Sequence, residues 1–241
     1  MSYSQSDYDV RCEWGAGGIE AVAPGSDVIV IIDTLSFTTC VDIATSRGAL
    51  IFPLAEGRSA SELATAVGAQ VAAHRGEPGY SLSPASLVAI SPAARLVLPS
   101  PNGSRLTAKA KEAAPEAVIL AGCLRNARAV AVAAARFGRR IALIPAGERW
   151  RTDESLRPAL EDWLGAGAII SSLPGGRSPE AAAAAAAFDG LRHDIRSVML
   201  GCASGRELID RGFPEDVELA GQLDSSDSVP VLRDGAYYRL L

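Results

Sequence analysis

The feature that most constrains the fold is a run of five residues, 28–32, which contains only valine and isoleucine and ends at Asp33. Such a run is typical of a strand that is covered on both faces, as in the parallel sheets of α/β proteins. A short loop at residues 34–39 then leads into a helical pattern over residues 40–47, with Gly48 as its C-cap. The run therefore predicts a central strand followed directly by a helix.

The same order of strand, polar loop and helix recurs along the chain. Strands are predicted at residues 8–14, 28–32, 49–54, 95–99, 117–121, 140–144, 217–219, 229–232 and 237–240. Helices are predicted at residues 40–47, 61–74, 104–113, 127–137, 159–172 and 204–211, with another that begins at Ser178 and contains the alanines of 181–187. The alternation predicts an α/β fold of three layers with a mixed, largely parallel central sheet. We expect a single α/β domain over residues 1–241, with two tightly joined halves as the alternative.

Composition excludes several classes of partner. The chain has 241 residues, a net charge of −5 and scattered Lys and Arg residues, which argues against nucleic-acid binding. No apolar run is long enough to span a membrane, and the N-terminal residues are polar, so we expect a cytoplasmic protein. The four cysteines form no CxxC pair, and buried free thiols are the simplest interpretation.

Common catalytic motifs are also absent from the sequence. There is no GxSxG nucleophile elbow, no Walker pattern and no GxGxxG, and neither His74 nor His193 lies beside a nucleophile motif. A serine hydrolase, a P-loop NTPase and an ordinary dinucleotide enzyme are therefore disfavoured. Cys40 and Cys123 lie near predicted loops, but nothing in their sequence surroundings indicates activation.

Acidic residues at strand and helix ends are candidate metal ligands. Asp33 closes the most apolar strand, where a carboxylate could hold Mg²⁺ beside a phosphate, although a loop-capping Asp is an equal alternative. Glu161 and Asp162 are adjacent near a helix start, so only one of them is expected to face a site. Their simpler interpretation is favourable interaction with the helix dipole.

Small polar loops after the strands are candidate anion sites. Asn102, Gly103 and Ser104 could offer an amide, a flexible backbone and a hydroxyl above a helix N-terminus, with a plain Asn-Gly turn as the alternative. Asn126 is placed as a helix N-cap. Two further segments stay ambiguous by themselves. They are Gly147-Glu148, after the fifth parallel strand, and Ser204-Gly205-Arg206, in which Arg206 could bind a phosphate.

Taken in order, these motifs resemble the 2-phosphosulfolactate phosphatase family over almost the whole chain. The motifs are residues 33–39 (Asp-Thr-Leu-Ser-Phe-Thr-Thr), Gly76-Glu77, Ser83-Pro84, residues 101–104 (Pro-Asn-Gly-Ser), Asn126-Ala127, Gly147-Glu148, Glu161-Asp162 with residues 166–168 (Ala-Gly-Ala), residues 204–208 (Ser-Gly-Arg-Glu-Leu) and Asp216-Val217. The resemblance implies a Mg²⁺-dependent phosphatase of α/β fold that hydrolyses a small phosphorylated hydroxy acid. A non-catalytic binding protein for a small anionic metabolite is the alternative.

The resemblance also suggests roles for individual residues. Asp33 and Glu161 are expected to be catalytic, and Asp33, Glu161 and Asp162 to hold Mg²⁺. Substrate binding is expected of Ser36, Thr38, Asn102, Gly103, Ser104, Asn126, Gly147, Glu148 and Arg206. The expected partner is the small phosphorylated acid, without nucleic acid or membrane, and a homodimer is left open.

One residue departs from the family pattern. The loop after the first Asp usually carries an arginine in that family, whereas this chain has Ser36 followed by Phe37. A guanidinium there would bind phosphate or sulfonate in a bidentate manner. Its replacement predicts altered substrate selectivity, unless Arg125 or Arg206 supplies the missing charge.

Overall fold

The computed structural model describes residues 2–240. Within them, strands β1 to β11 span Val10–Cys12, Val28–Ile32, Leu50–Pro53, Gln70–Val71, Arg95–Leu98, Val118–Gly122, Ile141–Pro145, Glu148–Arg149, Leu156–Arg157, Pro230–Arg233 and Ala236–Arg239. Helices α1 to α11 span Gly15–Val22, Phe37–Ser46, Ala60–Val67, Pro84–Leu87, Gly103–Ala113, Ala127–Phe137, Leu160–Ser171, Pro179–Leu191, Ile195–Gly201, Ala203–Asp210 and Pro214–Ala220. Short 3₁₀ helices lie at Ser2–Ser4 and Arg192–Asp194. None of the helices in residues 2–240 is long and apolar enough to cross a membrane.

Nine strands form one sheet in the order β1-β7-β2-β6-β10-β11-β3-β5-β4. The first four strands in this order are parallel, and so are the last three, while the β10–β11 hairpin lies antiparallel between the two groups. Strands β8 and β9 form a separate antiparallel hairpin. The prediction of a mixed, largely parallel sheet in an α/β fold is confirmed.

The central strand β2 explains why its sequence is purely aliphatic. Val28, Val30 and Ile32 belong to a core shared with α6, α7 and α8 on one face. Ile29 and Ile31 belong to a second core with α1, α2 and α5 on the other face. All five side chains are fully buried, and each such burial stabilises the fold by about 1.5–3 kcal/mol.

A strong twist between the two parallel groups positions the site. Three antiparallel pairings, β6–β10, β10–β11 and β11–β3, lie between β2 and β5 in the sheet, so β2 and β5 point in opposite directions. The loops that follow them nevertheless touch, because Gly103 donates its N–H to Asp33. Strand twist accumulates across a sheet, and the second core contains side chains from both groups. We conclude that the sheet curls until the ends of β2 and β5 meet.

Two sequence predictions are wrong at the level of elements. The helix predicted over residues 61–74 ends at Val67, because Gly68 adopts a left-handed conformation with φ of 62°, and a short strand follows. The strand predicted at 217–219 lies inside helix α11, where Pro214 at the first turn and the acidic residues after it favour a helix start. Helix α1 and the β8–β9 hairpin were not predicted.

Candidate active site

Asp33 lies at the centre of the candidate site, directly after β2. Its Oδ2 accepts hydrogen bonds from the main-chain N–H of Gly103 at 2.7 Å and from the Ser100 hydroxyl at 3.2 Å. Its Oδ1 accepts a longer hydrogen bond from the N–H of Phe37, in the first turn of α2. Only 4% of Asp33 is exposed. Asp33 therefore accepts hydrogen bonds from the first residues of two helices, α2 and α5, and it also lines a cavity.

Glycine is required at position 103 because Asp33 approaches so closely. A Cβ atom there would lie 2.5 Å from the Phe37 ring and 2.8 Å from Oδ2 of Asp33. The neighbouring polar groups bind protein atoms. Ser104 exchanges hydrogen bonds with the backbone of Leu54, and the Thr38 hydroxyl accepts the N–H of Asp33. These hydroxyls and the Gly103 amide hold the loops together in this structure, whereas the sequence predicted that they bind substrate.

Asp162 joins the loop after β2 to the loop after β7. Its two oxygens accept the N–H of Thr34 at 2.7 Å and the N–H of Gly147 at 2.9 Å. Gly147 has φ of 69°, and a Cβ atom there would lie 2.7 Å from Leu156. Asp162 does not line the cavity. Its observed contacts are those of a residue that positions two loops.

Glu161 and Glu148 complete a group of four carboxylates. Glu161 is buried in the first turn of α7, and its main-chain carbonyl accepts a hydrogen bond from the Thr34 hydroxyl, beside Asp33. Glu148 is partly buried and accepts a hydrogen bond from the Asn102 amide at 3.0 Å. Glu148 follows β7 in the sequence, but the residue that binds its side chain, Asn102, lies in the loop after β5.

Three of these carboxylates, those of Asp33, Glu148 and Asp162, have raised pKa values, and burial is the largest cause in each. Burial, followed by the charge of Asp33, raises the pKa of Glu148 to about 7. Burial also raises the pKa of Asp33, against the effect of its N–H donors, and it raises the pKa of Asp162 well above its usual value, with Glu161 and Asp33 adding to that shift. We refer to Asp33, Glu148, Glu161 and Asp162 as the carboxylate cluster.

The carboxylate cluster has the right chemistry for a hard cation but does not form a complete cage. Within residues 2–240 no three His, Cys, Asp or Glu side chains form a metal-binding group. Mg²⁺ prefers oxygen ligands, and it usually binds through one or two carboxylates together with water and substrate phosphate. Because Asp33 and Glu148 line one cavity, the carboxylate cluster fits Mg²⁺ better than it fits a metal that needs a full protein cage.

A cavity of about 420 Å³ opens beside the carboxylate cluster. Asp33 and Glu148 line one side of it, and Ser36 and Arg75 line it as well. The Arg75 guanidinium donates a hydrogen bond of 3.0 Å to the Ser36 hydroxyl. This volume suits a small, highly charged substrate better than a large one.

The arginine beside Ser36 was not predicted. Arg125 forms an ion pair with Asp42 away from the cavity, and Arg206 is exposed and does not line it. Neither of these two arginines therefore lies beside Ser36 in this structure. Arg75 lies there instead, and because its loop contacts Ser36 only through the tertiary fold, no local pattern indicated it.

Asn126 also has a different environment from the one expected. It stands at the N-cap position of α6 without making a capping bond. Its side chain accepts the N–H of Cys123 and donates to the carbonyls of Ala121 and Ser228. It is fully buried and does not line the cavity. Its observed role is to fix the loop after β6.

Comparison with known proteins identifies relatives over most of the chain. The profile of the 2-phosphosulpholactate phosphatase family matches residues 20–235. A 2-phosphosulfolactate phosphatase of Methanothermobacter thermautotrophicus is 30% identical over 214 residues, which cover 88% of this chain and 89% of the relative. Probable 2-phosphosulfolactate phosphatases of Carboxydothermus hydrogenoformans and Caldanaerobacter subterraneus are 31% and 28% identical, and the alignments cover 84% and 86% of this chain and 84% and 88% of those relatives.

Proposed function

The chain belongs to the 2-phosphosulpholactate phosphatase family, and we propose that it hydrolyses the phosphate ester of a small hydroxy acid with the help of Mg²⁺. 2-Phosphosulfolactate is the first candidate substrate, since it is named in the relatives that cover most of this chain. The observation that carries the proposal is the carboxylate cluster beside a small cavity. Ionised carboxylates repel a phosphate ester, and a cation bound by the cluster would offset that repulsion.

Asp33 and Glu161 are the proposed ligands of Mg²⁺. Asp33 lines the cavity, whereas neither Glu161 nor Asp162 does. Glu161 is the second proposed ligand because its charge acts on Asp33, whereas both oxygens of Asp162 already accept N–H groups. When bound, Mg²⁺ supplies positive charge that neutralises the phosphoryl oxygens and the developing charge on the leaving group. Asp162 would keep both loops in position through its bonds to Thr34 and Gly147.

Glu148 is the proposed proton carrier. It lines the cavity, and burial raises its pKa to about 7, which allows it to exist in either protonation state near neutral pH. In the protonated form it can donate to the departing alkoxide, and in the ionised form it can orient a water molecule for attack on phosphorus. Asn102 would fix the carboxyl group in the cavity through its hydrogen bond.

A screen for phosphate release tests the proposal. Purified protein would be incubated with phosphorylated hydroxy acids, including 2-phosphosulfolactate, in the presence of Mg²⁺ or of a chelator. We expect release from at least one of these esters with Mg²⁺ and none with chelator. Binding of the esters by calorimetry without any phosphate release would instead favour the alternative function, a binding protein for a small anionic metabolite.

A further inference from the structure

The cavity beside the carboxylate cluster is lined by side chains of both charges. Asp33 and Glu148 contribute carboxylates, and Arg75 and Arg211 contribute guanidinium groups. The remaining charged side chain of the lining, Glu207, forms an ion pair with Arg151. A ligand that fills this cavity therefore lies near both carboxylates and guanidinium groups.

Several contacts fix the Arg75 side chain at the cavity. Its guanidinium forms an ion pair with the buried Asp216 and donates to the carbonyl of Leu82 and the hydroxyl of Ser36. It also lies over the Phe213 ring, 5.3 Å from the ring centroid. Asp216 is itself fixed by the Ser83 hydroxyl and the Ala85 N–H. A preorganised guanidinium loses little conformational entropy when it binds an anion.

Both arginines have unused capacity to bind an anion. The contacts of Arg75 use three of the five N–H groups of a guanidinium, so two have no partner within residues 2–240. Arg211 is exposed and forms no ion pair within the same residues. A purely structural arginine would be expected to point its free N–H groups at protein carbonyls.

We propose that Arg75, assisted by Arg211, binds a second anionic group of the substrate while the phosphate lies at the carboxylate cluster. The inference rests on the proposed function and assigns to Arg75 the recognition of the carboxylate or sulfonate that such a substrate carries beside its phosphate ester. Arg75 is thus a specificity-determining residue. A phosphate ester of a neutral alcohol lacks the group that would contact it.

The test compares two substrates that share a secondary phosphate ester. One is 2-phosphosulfolactate and the other is isopropyl phosphate, which has no second anion. We expect Arg75→Gln to lower kcat/KM for 2-phosphosulfolactate by about 10- to 100-fold, mainly through KM, because a hydrogen bond to a charged group contributes about 1.5–3 kcal/mol. The kcat/KM for isopropyl phosphate should change by less than about threefold, because this substrate has no second anion for Arg75 to bind.

Arg125→Gln is a matched control. Arg125 and Arg75 are both 12% exposed, and each forms an ion pair with an aspartate that is at most 1% exposed. The Arg125 variant therefore reports the general effect of losing such a pair, and it should leave the ratio of the two kcat/KM values unchanged. If Arg75→Gln does not fold, Arg75→Lys and Arg211→Gln provide the same comparison, with smaller losses of the same sign.

The outcomes separate this inference from the proposed function. Equal losses on both substrates in the Arg75 variants would overturn the inference, while phosphate release by the wild type would uphold the phosphatase. If the wild type releases no phosphate, the proposed function fails, and calorimetry with sulfolactate still tests the arginine. The wild type should then bind sulfolactate at least about tenfold more tightly than Arg75→Gln, and equal affinities would overturn the inference.

Discussion

Gly103 donates its main-chain N–H to Oδ2 of Asp33 over 2.7 Å, and this bond connects two loops that lie 70 residues apart in the chain. Asp33 follows a strand of one parallel group, and Gly103 opens a helix that follows a strand of the other. The central carboxylate of the site is therefore held by both groups of the curled sheet. Its geometry depends on the packing of the whole fold.

The first prediction concerns Gly103→Ala. The added Cβ would fall 2.5 Å from the Phe37 ring and 2.8 Å from Asp33, so the loop must shift. We expect a loss of about 1–3 kcal/mol in the free energy of unfolding and a fall of at least about tenfold in kcat. Gly190→Ala is the control, since its Cβ would meet open space in helix α8 and should stabilise the protein slightly. Unchanged activity in Gly103→Ala would show that Asp33 does not need this contact.

The second prediction concerns the charge of Asp33. Asp33→Asn should lower phosphate release by at least about a hundredfold, which is typical for loss of an important electrostatic group. It should also cost some stability, because the new amide places an N–H₂ group opposite one of the N–H donors that now bind the carboxylate. Asp42→Asn serves as the control, as Asp42 is a buried aspartate that pairs with Arg125 outside the cavity. A folded Asp33→Asn protein with normal activity would refute the role.

The third prediction uses the raised pKa of Glu148 in metal-free protein. Burial raises the pKa of this carboxyl from its ordinary value of 4.5 to about 7, so Glu148 binds its proton more tightly in the folded protein. Its contribution to stability is therefore lost as pH rises from about 4.5 to 7. Glu148→Gln should be more stable than the wild type at pH 8, by roughly 1–3 kcal/mol, and the difference should vanish near pH 4.

Chemical unfolding of both proteins in chelator across this pH range is the appropriate measurement. Glutamine can still accept the hydrogen bond from Asn102 through its amide oxygen, so the comparison isolates the charge. A Glu148→Gln protein that is less stable than the wild type at pH 8 would contradict the repulsion inferred for the carboxylate cluster.

The fourth prediction concerns Ser36→Arg. The sequence alone suggested that this change would restore selectivity for a sulfonate. Because Arg75 already lies 3.0 Å from the Ser36 hydroxyl, a second guanidinium there would be repelled. We expect kcat/KM for 2-phosphosulfolactate to fall by at least about tenfold, whereas Ser36→Ala should change it only slightly. A gain in the Ser36→Arg protein would show that the cavity accommodates a guanidinium at position 36 in addition to those of Arg75 and Arg211.

Much of the fold could be predicted from local patterns. The aliphatic run of β2 predicted a strand that is buried on both faces, and all five of its side chains are. The helix of residues 61–74 was predicted too long, because the alanine-rich pattern continues past Gly68, where the chain leaves the helix. The strand predicted at residues 217–219 lies inside helix α11. Both errors are confined to short segments of the chain.

The candidate site was predicted only in part, for a different physical reason. Asp33, Glu161, Asp162 and Glu148 were chosen as residues near strand or helix ends, and the structure brings them together. Arg75 was not chosen, because its partner Asp216 is 141 residues away and its loop reads as a simple turn. Contacts of this kind form only when distant segments of the chain pack together, which a local sequence pattern does not express.

The dependence of phosphate release on Mg²⁺ concentration, measured for the wild type and for Glu161→Gln with 2-phosphosulfolactate, tests the central claim most directly. Glu161 is buried beside Asp33, and removal of its charge should weaken Mg²⁺ binding. We predict saturable activation of the wild type, no release in chelator, and at least about tenfold more Mg²⁺ required by the variant. Full activity in chelator, or the same Mg²⁺ dependence in both proteins, would contradict the account.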